Sequence, residues 1–190
     1  MTIEKTKATD TVSSGLTCNT KAGEDAKATG LFEIKCHDKD GNLKWEAQSK
    51  NLVVNVGLQY MAGTALDGST ARLTSWFLGL YGAASSNTPA NGDTLSSHVG
   101  WTEVTPYSGN RPSATFVAAT TANPSVVTNT ASPAVFSINA TQTVGGAFLC
   151  SVNTGTSGTL FSAADFGGAG DRSVVNSDTL SVTYTFSLAP

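Results

Sequence analysis

The sequence predicts an all-β protein, an antiparallel β-sandwich or jelly roll with one short helix and an extended N-terminal arm. Three observations carry that reading. Short apolar or alternating runs recur along the chain. Glycine, proline and Asx turn chemistry cuts them at regular spacing, which favours antiparallel layers over a parallel α/β sheet. Only one stretch shows helical spacing. At 190 residues the chain has room for one domain and a tail.

Residues 1–28 form the predicted arm. They hold four lysines and four acids among Thr, Ser, Ala and Gly, with Ile3, Val12 and Leu16 as the sizeable aliphatics beyond Met1. Such a segment buries too little apolar surface to order itself. It is expected to lie across a partner or to dock on its own body, so Ile3, Val12 and Leu16 are candidate partner-binding residues. Residues 29–190 form the predicted sandwich domain.

From Gly30, Leu31, Glu33 and Lys35 alternate with Phe32, Ile34 and Cys36. Asp38-Lys39-Asp40-Gly41-Asn42 interrupts, and Leu43 to Ala47 resumes the alternation, which predicts a hairpin. Leu52, Val56, Tyr60 and Met61 fall near helical spacing within 51–66, with Asn55 as predicted N-cap and Asp67-Gly68 as stop; Gly57 is unfavourable inside such a helix. Leu73 to Tyr81 is too rich in bulky side chains to face water and is predicted to be a core strand. The polar stretch Gly82 to Gly100 reads as a long loop, either an interface or loose surface. Further strands are predicted at Trp101–Val104, Ser113–Ala119, Ala134–Ile138, Gly146–Val152, Thr159–Ser162 and Leu180–Phe186, about nine in all.

Charge is distributed unevenly. All eight lysines lie in the first 50 residues, and residues 51–190 carry only three arginines and six acids. A surface of Ser, Thr, Asn and Gly closes against a partner without desolvating many ions, the composition expected of an assembly component. Overall charge is −3, with no basic footprint for nucleic acid. No apolar run is long enough to span a bilayer, and the first residues lack a signal peptide's apolar stretch, so cytosolic synthesis is expected. Cys18, Cys36 and Cys150 have no CxxC spacing and read as free thiols, with a bridge or redox role for Cys18 and Cys36 as the alternative.

Chemical constellations are sparse. Asp38-Lys39-Asp40-Gly41-Asn42 resembles the opening of a calcium loop, but Ser49 stands where the closing glutamate belongs, and a hairpin turn accounts for it better. His37 and His98 are the only histidines and have no zinc-ligand spacing. His98 with Asp93 or Glu103 could complete a serine triad, yet no GxSxG turn is present. For glycoside cleavage the available carboxylates are Asp67, Asp93, Glu103, Asp165, Asp171 and Asp178, with Glu103 beside Trp101 the best placed; pairing of Glu103 with Arg111 is the simpler assignment. Nucleotide-binding loops are absent. Trp45, Trp76 and Trp101 could stack on sugars; core packing is the simpler reading for Trp76, and interface packing is open for Trp101.

Several short blocks also resemble a group of tailed-bacteriophage structural proteins. They include Asn51-Leu52-Val53, Trp76-Phe77-Leu78-Gly79-Leu80, His98-Val99-Gly100-Trp101-Thr102-Glu103, Tyr107-Ser108, Arg111-Pro112, Phe136-Ser137-Ile138-Asn139-Ala140-Thr141, Gly145-Gly146-Ala147-Phe148-Leu149, Thr159-Leu160-Phe161-Ser162 and the closing run Asp178 to Phe186. The resemblance spans roughly residues 30–188 and leaves the arm outside. It implies a capsid decoration or cement protein with a jelly-roll body, made in the host cytoplasm and held on the virion head. The implied partners are the major capsid protein and further copies of the chain as a homotrimer, with no cofactor, nucleic acid, membrane or catalytic residue. Trp101, Glu103 and Arg111, in the central blocks, join the arm aliphatics as candidate partner-binding residues. A receptor-binding or carbohydrate-binding virion module is the alternative.

Overall fold

The computed structural model describes residues 26–68, 70–83, 88–166 and 171–190. The described residues form twelve strands and one short helix, arranged mainly as two five-stranded antiparallel sheets with a small two-stranded ribbon. The predicted all-β class and single helix match this architecture. Ile3, Val12, Leu16 and Cys18 lie outside the described residues.

Sheet A is built on the predicted hairpin. Strand β1 (Lys27–His37) turns into β2 (Leu43–Lys50), with a register irregularity between Cys36 and His37. The turn is closed by Asp38, whose Oδ1 accepts the backbone N–H groups of Asp40 and Asn42, both at 2.9 Å, while Gly41 takes the positive φ of 84°. These bonds hold the Asp38 carboxyl below its ordinary pKa and give it the role of a turn residue. The strand starts two residues before the predicted arm boundary: Lys27 and Ala28 pair with Ala189 and Leu188.

Before sheet B, β3 (Leu52–Val53) leads into helix α1 (Asn55–Ala62), which continues as a π-helical turn over Gly63–Asp67 and stops at Gly68. The cap is Val54, in an extended conformation without a side-chain cap bond, and Asn55 already belongs to the helix. Gly57 is explained by packing. A Cβ there would sit 2.3 Å from the Phe161 carbonyl oxygen, so glycine's cost in helix propensity permits the close approach of helix to sheet.

The remaining strands are β4 (Phe77–Ala83), β5 (Trp101–Val104), β6 (Ser125–Thr128), β7 (Ala134–Ser137), β8 (Gln142–Val144), β9 (Gly146–Cys150), β10 (Leu160–Asp165), β11 (Arg172–Val174) and β12 (Thr179–Ala189). Sheet A runs β2-β1-β12-β6, with β7 also on β12; sheet B runs β3-β10-β9-β4-β5; β8 and β11 make the ribbon. Residues 113–119 do not form the predicted strand. Ser113 makes one bridge to Phe77, and the N–H groups of Val117 and Thr120 reach the carbonyls of Thr128 and Val126 on β6 instead.

The two sheets differ in how they are buried. In sheet A one face is inward, so β1 and β12 alternate: Phe32, Ile34, Cys36, Leu180, Val182 and Tyr184 are essentially inaccessible. Sheet B is covered on both sides. Leu78, Leu80, Ala147, Leu149 and Phe161 join the cluster shared with sheet A, while Tyr81, Phe148, Cys150, Leu160 and Ala163 form a second cluster with Val54, Leu95 and Trp101. That explains why β4, β9 and β10 read as continuous apolar runs. The second cluster is capped by residues 88–100, placed in a surface loop by the sequence. There Leu95 and Asp93 are buried and Asn91 accepts the Asn55 N–H at 2.8 Å. No helix among the described residues is long and apolar enough to cross a membrane.

Candidate functional site

Trp101, Glu103 and Arg111 fall together, at the β5 edge of sheet B, but they face inward. The Trp101 ring is 2 % exposed, packs on Tyr81 and Phe148, and stacks on the His98 imidazole with centroids 3.6 Å apart. Its indole N–H donates to Asp93 Oδ2 at 2.9 Å, and the same carboxylate oxygen accepts the Ala90 N–H at 2.9 Å. The ring is therefore a core element with a buried polar handle. It presents no face for a sugar, so Trp101 does not supply the stacking surface considered for the carbohydrate-binding alternative.

Arg111 is the hub of the same region. It is 5 % exposed and grips Glu103 through two parallel bonds, Nε to Oε1 at 2.7 Å and a terminal nitrogen to Oε2 at 2.6 Å. Its remaining donors reach the carbonyls of Val152 at 3.0 Å and Gly155 at 2.9 Å, and the guanidinium carbon lies 5.3 Å from the Phe148 ring centre. Burial alone would lower its pKa. The bonds to Glu103, its charge and the nearby Cys150 and Tyr107 together outweigh that, and the pKa is raised. Planar bidentate geometry ties β5 to the loop after β9, a job that suits arginine and not lysine. The pair foreseen as the simpler assignment is the one observed, and it spends both candidate partner-binding groups on the fold.

Other charged groups of the body are committed in the same way. Asp178 accepts Lys44 Nζ at 2.6 Å and the Val175 N–H at 2.8 Å, pinning β2 to the turn before β12. The bond raises the Lys44 pKa. Cys36 lies 3.8 Å from the same carboxylate. Burial, reinforced by that negative charge, pushes the Cys36 thiol up to about 11, and burial also raises Cys150. Both are free cysteines with inaccessible side chains. Among the described residues, no group of three or more His, Cys, Asp or Glu is placed to hold a metal ion.

A concave feature of the surface lies elsewhere, between α1, the ends of β6 and β12, and the 113–119 segment. Its apolar half has a volume of about 530 Å³ and is walled by Tyr60, Met61, Trp76, Phe116, Phe161 and Phe186, with Leu188 at one end. A second half, about 630 Å³, continues past Thr64 and Trp76 along Arg72–Trp76 and Ser113–Ala119. Trp76 stands between Tyr60 and Phe161 in edge-on contacts of 5.4 Å each, and Phe186 closes on Phe161 at 5.4 Å. The Tyr60 hydroxyl is fixed by the Leu73 N–H at 2.8 Å. The Thr64 hydroxyl oxygen, on the shared wall, is buried and has no hydrogen-bond partner among the described residues. Sequence reading assigned Trp76 to the core and missed the groove. The available signal was the alternation Tyr184, Phe186, Leu188, which carries the apolar face of β12 past the core, leaving Leu188 44 % exposed.

Comparison with protein-family models, with curated proteins and with solved structures finds no match. The geometry therefore defines a class only: an antiparallel β-sandwich with a charge-poor body and an apolar groove.

Proposed function

We propose that this protein is a bacteriophage capsid decoration, or cement, protein that binds the outer surface of the assembled head as a homotrimer and stabilises contacts between major capsid subunits. One observation carries the reading. Residues 51–190 hold nine charged side chains, and Asp93, Glu103, Arg111 and Asp178 among them are engaged in internal bonds. The surface contributed by residues 51–190 is left poor in ions and hydroxyl-rich, with apolar points such as Leu66 at 88 % and Val99 at 87 % exposure. Such a surface forms a wide interface with little ion desolvation. The resemblance of the short blocks to tailed-phage structural proteins points the same way.

The mechanism follows from linkage. A protein that binds across neighbouring subunits only when they are assembled adds its binding free energy to shell stability. Three joined copies present their contacts at high effective concentration, so weak individual contacts hold. The test is the disruption temperature of shells with and without saturating protein. A rise of several degrees is expected, together with a trimeric mass by light scattering. Shells equally fragile in both conditions overturn the proposal.

A further inference from the structure

We infer that the groove beside Trp76 is the docking site of this chain's own N-terminal segment, with Val12 and Leu16 as its apolar anchors. The register of sheet A places the start of the described chain at the groove. Ala28 pairs with Leu188, which lines the groove, and Lys27 pairs with Ala189 at the end of the seam. Inward-facing positions of β1 are the even ones from Ala28 to Cys36, so the chain enters sheet A at the level of the Leu188 wall. Ten Cα-to-Cα steps separate Leu16 from Ala26, a reach of up to roughly 35 Å, ample for a site that begins at the next pair of the ladder.

The composition of the segment matches the site. Residues 11–20 carry no charge, and Asp10 and Lys21 flank them. Val12 and Leu16 are the sizeable aliphatics of that window, so it enters an apolar cleft without stripping water from an ion. Covering Trp76, Phe116 and Phe186 removes aromatic surface from water, worth about 25 cal/mol for each Å² covered.

A fluorophore on the segment reads this contact directly. Cys36 and Cys150 are inaccessible, so in the full chain carrying Cys18→Ser and Thr17→Cys a bimane label goes to position 17, next to Leu16 and replacing no apolar residue. Tryptophan quenches bimane at near-contact distance. Emission is expected to be at least twofold lower than in the same labelled protein with Trp76→Phe, and unchanged on dilution. Leu16→Asp, outside the described residues, should restore the emission and so gives a second reading where Trp76→Phe impairs folding. Emission indifferent to both Trp76→Phe and Leu16→Asp overturns the inference. Quenching that vanishes on dilution also overturns it, because the groove would then be taking the segment of a second copy.

Discussion

Two tryptophans on opposite faces of sheet B mark two different kinds of construction. Around Trp101 the ionisable and indole groups are paired: the indole N–H to Asp93, Arg111 to Glu103 and two carbonyls, and His98 to the Trp101 carbonyl at 2.8 Å, while the neighbouring Tyr107 hydroxyl is buried without a partner among the described residues. Around Trp76 the walls are aromatic and half-open, and the buried Thr64 oxygen is unmatched among the described residues. The region with ionisable and aromatic residues close in sequence looks functional and is a structural brace. The region able to receive something is assembled from distant segments and carries little charge. Residue types that can do chemistry are informative only once their partners are known.

The largest effect that would break this contrast concerns Trp101. Trp101→Ala should cost about 3–5 kcal/mol, because it empties a core position and removes one of the two N–H groups that Asp93 Oδ2 accepts. A urea midpoint shifted by less than 1 M would mean that the ring is not holding the second cluster. Arg111→Ala should cost about 3 kcal/mol or more, since it leaves Glu103 and two carbonyls unpaired. Arg111→Lys should recover only part of that loss, as an ammonium cannot form the fork; full recovery would show that charge alone matters there. At the open end, Phe116→Ala should cost less, roughly 1–2 kcal/mol for a half-buried ring. The same urea titrations rank all four variants.

Alkaline titration sharpens the contrast further. Cys36 rises from 9.0 to about 11 in the folded chain, so between those values the folded state holds a proton that the unfolded state has released. Stability is therefore undiminished by this group below pH 9 and falls as pH rises toward about 11. Tyr81, Tyr107 and Tyr184 are raised by burial and act in the same direction above pH 10. Cys36→Ala should flatten the first part of the decline in thermal melts taken from pH 8 to 11. The smallest effect is expected at the hairpin: Asp38→Ala should lower Tm slightly, and neither calcium nor a chelator should move Tm, because the carboxylate is occupied by the turn.

Legibility in the sequence followed the range of the interaction. The β1–β2 hairpin was readable because alternation and an Asp-Gly turn are local. Strands β6, β8 and β11 were not, since Ser125–Thr128, Gln142–Val144 and Arg172–Val174 are three or four residues long and owe their form to partners far along the chain. The Glu103–Arg111 pair could be foreseen from two opposite charges eight positions apart in a charge-poor body. Burial of Trp101 could not, because its acceptor Asp93 lies in a polar stretch that reads as surface. The groove was illegible for the same reason, its walls coming from α1, the segment before β4, residues 113–119, β10 and β12.

The seam between β1 and β12 sets an order on biosynthesis. Eleven consecutive pairs, from Lys27 with Ala189 to His37 with Thr179, join residues well over a hundred positions apart, and β6 and β7 attach to the other edge of β12. A nascent polypeptide lacking residues 179–189 leaves one whole edge of β1 unpaired and lacks Leu180, Val182 and Tyr184, which pack with Phe32, Ile34 and Cys36 in the core. Sheet A must therefore close after translation reaches this region, slowly, as expected where loop closure precedes any reward. Stop codons or frameshifts ahead of Thr179 should abolish the soluble product altogether instead of yielding a shortened domain.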